Sequence, residues 1–247
     1  MNIILLLTFI GIFALYKIYL NSSKEVTANL IVENTYTYLL LGLIITTMTV
    51  FGIDKSPTMS HKADSFGGLL GSFIMSMISL YIIMTSTDKV GLQHVAWLTF
   101  LASLGIMLHP TLKILKRNGK GADVFLSLIA IVGAMSLLAY KLPGMFLGLG
   151  SYLLMGLFGL IVVEVLDLLI GNREGLRGRY RWYSWIGIGL FSGFLLYDSQ
   201  KLVAQAKIGE LLIKYNNLKN INYPALSLSL YLDVLNLFSL LTGSSKY

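Results

Sequence analysis

Long apolar runs, parted only by short polar connections, recur along the whole chain. They fall at residues 2–20, 35–53, 67–86, 92–109, 122–140, 144–170, 183–204 and 224–242, with 92–109 the shortest. Crossing the hydrocarbon core of a bilayer takes about 20 mostly apolar residues as a helix. Within lipid every backbone N–H and C=O must be satisfied by the segment itself or by a closed barrel, so runs of this length dictate helices. The expected class is therefore an all-α integral membrane protein. Composition agrees: 55% of the residues are hydrophobic and 13% are charged, against about 25% charged in a soluble domain. The 247 residues leave no room for a large soluble domain beside the membrane part.

Charge and cysteine usage remove several function classes. The chain has no cysteine, which excludes disulfides, thiolate metal sites and a cysteine nucleophile. Its net charge of +7 is dispersed over the connections between apolar runs. That pattern suits membrane-surface contact and the setting of topology, with no nucleic-acid partner. Eleven basic residues fall on the side of the N terminus in an eight-run arrangement and eight on the other. The positive-inside rule then favours both termini in the cytoplasm or matrix.

Local punctuation fixes some boundaries. Lys141, Leu142, Pro143 and Gly144 form the clearest turn between two helices. Gly148, Gly150, Gly156 and Gly159 suit close helix packing in lipid better than a phosphate-binding loop. The first run lacks the basic start of a secretory signal and the Arg- and Ser-rich character of a mitochondrial presequence. It reads as a retained helix, with an uncleaved signal anchor as the alternative. The stretch from Ala206 to Tyr223 is polar and is expected at the interface or in solvent.

Against this background two aspartates stand out. Asp198 and Asp233 each sit inside an apolar run, each just after a tyrosine, Tyr197 and Tyr231. A carboxylate in hydrocarbon is costly and marks a functional site by default. Asp198 lies nine residues before Lys207, and Asp233 nine residues after Pro224. At about 1.5 Å per residue both are roughly 14 Å from the shared connection, at matching depth on antiparallel helices. Such a pair titrates as a unit. It holds a proton when closed and offers oxygen ligands, suited to Ca²⁺ over a transition metal, when both acids are ionised. Asn236 and Gln200 are placed to add carbonyl oxygens or hydrogen bonds, and Tyr197 and Tyr231 hydroxyls to bond nearby. Glu164, three residues before Asp167 on one helical face, is a candidate extra acid. The alternative is two independent acids, each structurally satisfied.

The stretches Phe194–Leu202 and Ser227–Phe238, with the run opening at Asn34–Leu43, resemble the Bax-inhibitor-1 (transmembrane BAX inhibitor motif) family over about residues 30–242. The resemblance implies a seven-helix bundle (residues 31–247) wrapped around a central last helix, preceded by one extra N-terminal transmembrane helix and linker (residues 1–30). That layout looks most like the mitochondrial, growth-hormone-inducible transmembrane protein branch of the family. It also implies a pH-sensitive calcium leak or Ca²⁺/H⁺ exchange with antiapoptotic influence, and its di-aspartyl sensor falls on Asp198 and Asp233. One departure concerns the second core helix, where characterised members keep an arginine. Residues 67–78 carry no charge here; His61, Lys62 and Asp64 lie just before them.

The expected activity is thus non-enzymatic. A calcium-permeable protein, with Ca²⁺ and H⁺ as cargo and no resident cofactor, is gated by the aspartate pair in an intracellular organelle membrane (mitochondrial inner membrane or endoplasmic reticulum). Its partners would be the lipid bilayer and membrane proteins of the cell-death machinery. A second class is a non-transporting scaffold that regulates cell death or organelle structure through partners. An intramembrane aspartyl protease is the remote alternative: Tyr197-Asp198 and Pro224-Ala225-Leu226 echo its motifs, but Tyr231-Leu232-Asp233 replaces the Gly-x-Gly-Asp it needs. A rhomboid-type serine protease needs a histidine after Ser151, and all three histidines precede it. His94 and His109, near the ends of runs, read as interfacial or structural.

Overall fold

The computed structural model describes residues 3–86, 89–170, 176–215 and 220–244; the side chains of residues 3, 4, 164, 167–170 and 176–181 lie outside that description. Among the described residues the chain is helical and contains no strand. Its elements are α1 (Ile3–Asn21), α2 (Ala28–Asp54), α3 (Pro57–Asp64), α4 (Phe66–Thr85), α5 (Val90–Asn118) and α6 (Gly121–Lys141). A 3₁₀ turn (Leu147–Leu149), α7 (Gly150–Ile170), α8 (Leu176–Lys214) and α9 (Tyr223–Ser244) complete it. Five of these, α2, α4, α5, α6 and α9, are long and apolar enough to cross a membrane; α1 and α7 are apolar over shorter described stretches, Leu5–Asn21 and Leu147–Val163. The chain is an all-α membrane protein.

Capping chemistry explains where several helices depart from the expected runs. The run expected at 35–53 begins earlier, because Thr27 caps α2 by accepting a bond from the Leu30 amide. The connection after it contains α3, which hydropathy does not reveal: Ser56 caps it, Pro57 occupies its first turn, and Ser65 ends it and then caps α4. The shortest run, 92–109, lengthens to the 29 residues of α5 and passes through Pro110. The turn at Lys141–Gly144 forms as expected, with Gly144 in the left-handed region at φ 79°. The following helix starts at Gly150, not at 144. The helix bearing Asp198 extends to Lys214, so the first half of the polar stretch 206–223 is helical. Its buried stripe, Leu202 and Ala206, continues the helical spacing. Glu210 accepts from the Ala28 amide at 2.9 Å, giving the start of α2 a carboxylate partner.

The chain divides into two compact units, residues 1–112 with 202–231, and residues 113–201 with 232–247. In the first, an aromatic cluster forms the core. Tyr38 stacks on Tyr223, meets Trp97 edge-on, and bonds His94 Nε2 through its hydroxyl at 2.7 Å. Gly105 of α5 lies so close to α2 that a Cβ there would sit 2.8 Å from Thr49. His109 is fully buried and bonds Asp64 at 2.7 Å, which fastens α3 to α5. Ser72, Ser76 and Ser79 face inward from the uncharged α4. α1 joins α2 through Lys17–Glu33 at 2.9 Å and Asn21–Asn34 at 2.8 Å.

In the second unit α7, the first part of α8 and the end of α9 pack through small residues, and α6 meets α9 through Phe125 and Phe238. Gly193 receives Leu153, and Gly187 receives Leu240. Of the five candidate spans α9 is the most enclosed, 56% of its apolar window being buried against 11% in α6.

Candidate ion site: the aspartate pair

Asp198 and Asp233 both belong to the second unit, one on α8 and one on α9. They are 9% and 5% exposed, so neither carboxyl is solvated from outside the protein. Their side chains lie within hydrogen-bonding reach of each other. Two carboxyl groups can bond in this way only with a proton between them; with both ionised they repel at close range in a poorly solvated setting. Asp233 Oδ2 is buried with no hydrogen-bond partner among the described residues. An orphaned carboxylate oxygen is a vacant acceptor, open to a proton, a water or a cation.

The neighbouring polar residues are engaged in distinct ways. Gln200 donates from Nε2 to the Leu142 carbonyl and accepts at Oε1 from the Phe146 amide at 2.8 Å. It therefore pins the α6–α7 turn. Tyr197 rests its ring on Gly150, where a Cβ would lie 2.7 Å away, and Lys201 Nζ stands 5.8 Å from the ring centre. Tyr231 belongs to the first unit, with its hydroxyl on Thr46 Oγ1. Asn236 lines a cavity of about 310 Å³ in the second unit, together with Ser184 and Ser239. The side chains of Glu164 and Asp167 lie outside the described residues.

Ser184 and Ser239 escape a motif-based reading because lone serines in apolar helices are common. Their signal is positional: Ser184 precedes Asp198 by 14 residues, four turns on the same face. Among the described residues no three His, Asp or Glu side chains gather as a metal site. Two carboxylates supply at most four oxygens, whereas Ca²⁺ takes 6–8. The donor set fits a passing, partly hydrated cation and not a stored one.

A multi-pass helical protein with a carboxylate pair buried on its last two helices defines the class. Residues 28–243 match the family described as "Inhibitor of apoptosis-promoting Bax1", and the chain belongs to this Bax-inhibitor-1 family. It is similar to the growth hormone-inducible transmembrane protein of Rattus norvegicus, 28% identical over 87% of this chain and 64% of that protein. It is also similar to the inner membrane protein YbhL of Escherichia coli, 25% identical over 83% of this chain and 86% of that protein. An uncharacterized protein of Borreliella burgdorferi is 26% identical over 80% of this chain and 83% of its own length. The match to the rat protein thus spans less than two thirds of that protein.

Proposed function

We propose that the chain is a pH-sensitive, calcium-permeable membrane protein, a leak or a Ca²⁺/H⁺ exchanger, gated by Asp198 and Asp233. The observation that carries this reading is the contact between two buried carboxyl groups on separate helices, one oxygen of which has no partner among the described residues. With a proton shared, the pair ties α8 to α9. When both acids ionise, like charges a few ångströms apart in a poorly solvated site repel, and the helices part. The same ionised oxygens then present themselves to a divalent cation, whose charge offsets the repulsion. Proton loss and cation entry are thereby coupled in one place.

The family supports a link to cell death, its description naming an inhibitor of an apoptosis promoter. We place the chain in an intracellular organelle membrane, the mitochondrial inner membrane or the endoplasmic reticulum, and in a non-enzymatic role. The Escherichia coli relative is itself called an inner membrane protein, so a bacterial-type membrane is the competing setting. Localisation of a tagged chain decides between them.

The test is ⁴⁵Ca²⁺ uptake into proteoliposomes between about pH 5 and 8, comparing the native chain with Asp198→Asn, Asp233→Asn and the double variant. Flux that rises with pH in the native chain and loses that dependence in the variants supports the reading. An imposed pH gradient then separates exchange from leak. Folded, inserted protein with no flux above empty liposomes sinks it and favours the scaffold.

A further inference from the structure

The cavity in the second unit has a composition that lipid does not require. Its walls are Leu157, Leu160 and Ile161 of α7, Tyr183, Ser184 and Phe191 of α8, and Asn236, Ser239, Leu240 and Gly243 of α9. One side is hydrocarbon. The other carries two hydroxyls, a phenol and a carboxamide, from Ser184, Ser239, Tyr183 and Asn236. Polar groups inside a membrane protein bond within or between helices, or line a path for water or a polar ligand; four of them around one cavity fit the second use.

Helix geometry relates this cavity to the aspartates. At 3.6 residues per turn, positions three, seven and ten residues on from a reference stay within about 80° of it. Asn236, Leu240 and Gly243 therefore share a face of α9 with Asp233, and Phe191 and Ser184 share a face of α8 with Asp198. Asn236 stands about 4.5 Å along the axis from Asp233, and Gly243 about 15 Å. Both series run the same way from the carboxyl pair, toward the C-terminal end of α9. The last carbonyls of a helix lie there, the end that favours cations. Leu240 reaches so far across that a Cβ on Gly187 would lie 2.9 Å from it, which narrows the passage beside Phe191.

We propose that this cavity is an aqueous antechamber through which a hydrated divalent cation reaches or leaves the aspartate pair, with the Asn236 side chain as its first ligand outside the pair. This deepens, and rests on, the calcium-permeable reading of the same site. The volume of about 310 Å³ holds on the order of ten waters at roughly 30 Å³ each, enough for a divalent ion with its inner shell. Asn236 offers a carbonyl oxygen, and Ser184 and Ser239 offer hydroxyl oxygens, the hard ligands such an ion takes as it sheds water. Leu240 and Phe191 form an apolar constriction at mid-passage, where the ion is held to the polar wall.

The absence of cysteine from the chain makes the test direct, since each substitution carries the single thiol. Ser239→Cys, Asn236→Cys and, as a lipid-facing reference, Phe158→Cys at 69% exposure are reconstituted in proteoliposomes. A cationic, membrane-impermeant methanethiosulfonate is added on both sides, with and without millimolar Ca²⁺, and ⁴⁵Ca²⁺ flux of the native chain is measured in parallel. We expect Ser239→Cys and Asn236→Cys to react at least about tenfold faster than Phe158→Cys, because only a thiol in water forms the reactive thiolate. Ca²⁺ should slow that reaction. Labelling no faster than the reference, or labelling indifferent to Ca²⁺, overturns the antechamber whatever the native flux. Fast, Ca²⁺-protected labelling in a chain that carries no flux leaves the antechamber standing as a cation site and sinks the transport reading instead. Ser239→Cys, which changes one atom, keeps the test valid if Asn236→Cys fails to fold.

Discussion

The Tyr231 hydroxyl on α9 is hydrogen-bonded to Thr46 Oγ1 on α2, although Tyr231 lies only two residues before Asp233. Two residues on a helix point about 200° apart, so the tyrosine faces a different neighbourhood from the acid. Thr46 Oγ1 also donates to the Leu101 carbonyl at 3.3 Å, and Tyr231 is 2% exposed. Tyr231→Phe should lower stability by about 1 kcal/mol, the net worth of one hydrogen bond, and leave the pH profile of calcium flux in place. Unfolding in detergent and the proteoliposome assay check the two halves separately. A flattened pH profile would bring Tyr231 into the gate.

The carboxyl pair makes the opposite prediction. An amide at either position removes one titrating group but keeps the size and hydrogen-bonding capacity of the side chain. Flux through the native chain should fall as pH falls, because a shared proton holds α8 and α9 together. Asp198→Asn with Asp233→Asn should abolish that dependence. The melting temperature of the double variant should likewise vary less than that of the native chain between about pH 5 and 8. Flux that keeps its native pH slope in the double variant would move the sensor elsewhere.

Gln200 holds both sides of the α6–α7 turn, at Leu142 and Phe146. Gln200→Ala should cost about 2 kcal/mol, two hydrogen bonds at about 1 kcal/mol each, and should open the turn to protease. Gln200→Glu can still accept from the Phe146 amide but cannot donate to Leu142, so it should fall between. Equal cutting of both variants and the native chain would show that the Pro143–Gly144 turn stands without help.

Close packing at glycine can be tested by contrast. Gly105→Ala would put a Cβ 2.8 Å from Thr49, and overpacking of this kind costs about 1–3 kcal/mol. Gly133→Ala has nothing within 4 Å and should be neutral or stabilising by up to about 1 kcal/mol, the propensity gained over glycine in a helix. Thermal unfolding in one detergent ranks them.

Asp198 and Asp233 stood out because each is an acid inside an apolar run; the equal counts of nine residues did not fix their depth, because α8 runs on to Lys214 while α9 starts at Tyr223. The turn at Lys141–Gly144 was legible because proline and glycine act locally. Hydropathy did not reach α3, since Pro57–Asp64 buries only Ser60 and Ala63; its signal was Ser56 before Pro57, a cap and first-turn pair. The passage of α5 through Pro110 was hidden because proline ends most helices. Nor does His109 announce its partner: Asp64 is 45 residues away, and only the return of α3 against α5 joins them. The duty of Gln200 was obscured by its nearness to Asp198 in the chain. Two residues on it faces a turn, not the acid.

Along α1, Leu5, Phe9, Ile12, Phe13, Tyr16 and Tyr19 are all more than half exposed, while Ala14 and Asn21 are buried. Most of its surface therefore meets no other part of the chain, and an apolar surface without fixed neighbours accepts many apolar shapes. Mutations there should drift almost freely among apolar residues over evolutionary time. The exceptions are the few positions that touch α2, with Lys17 and Asn21 holding their partners and Ala14 having no room to grow. In a comparison of relatives that carry this helix, its lettering should decay fastest and its hydrophobicity slowest.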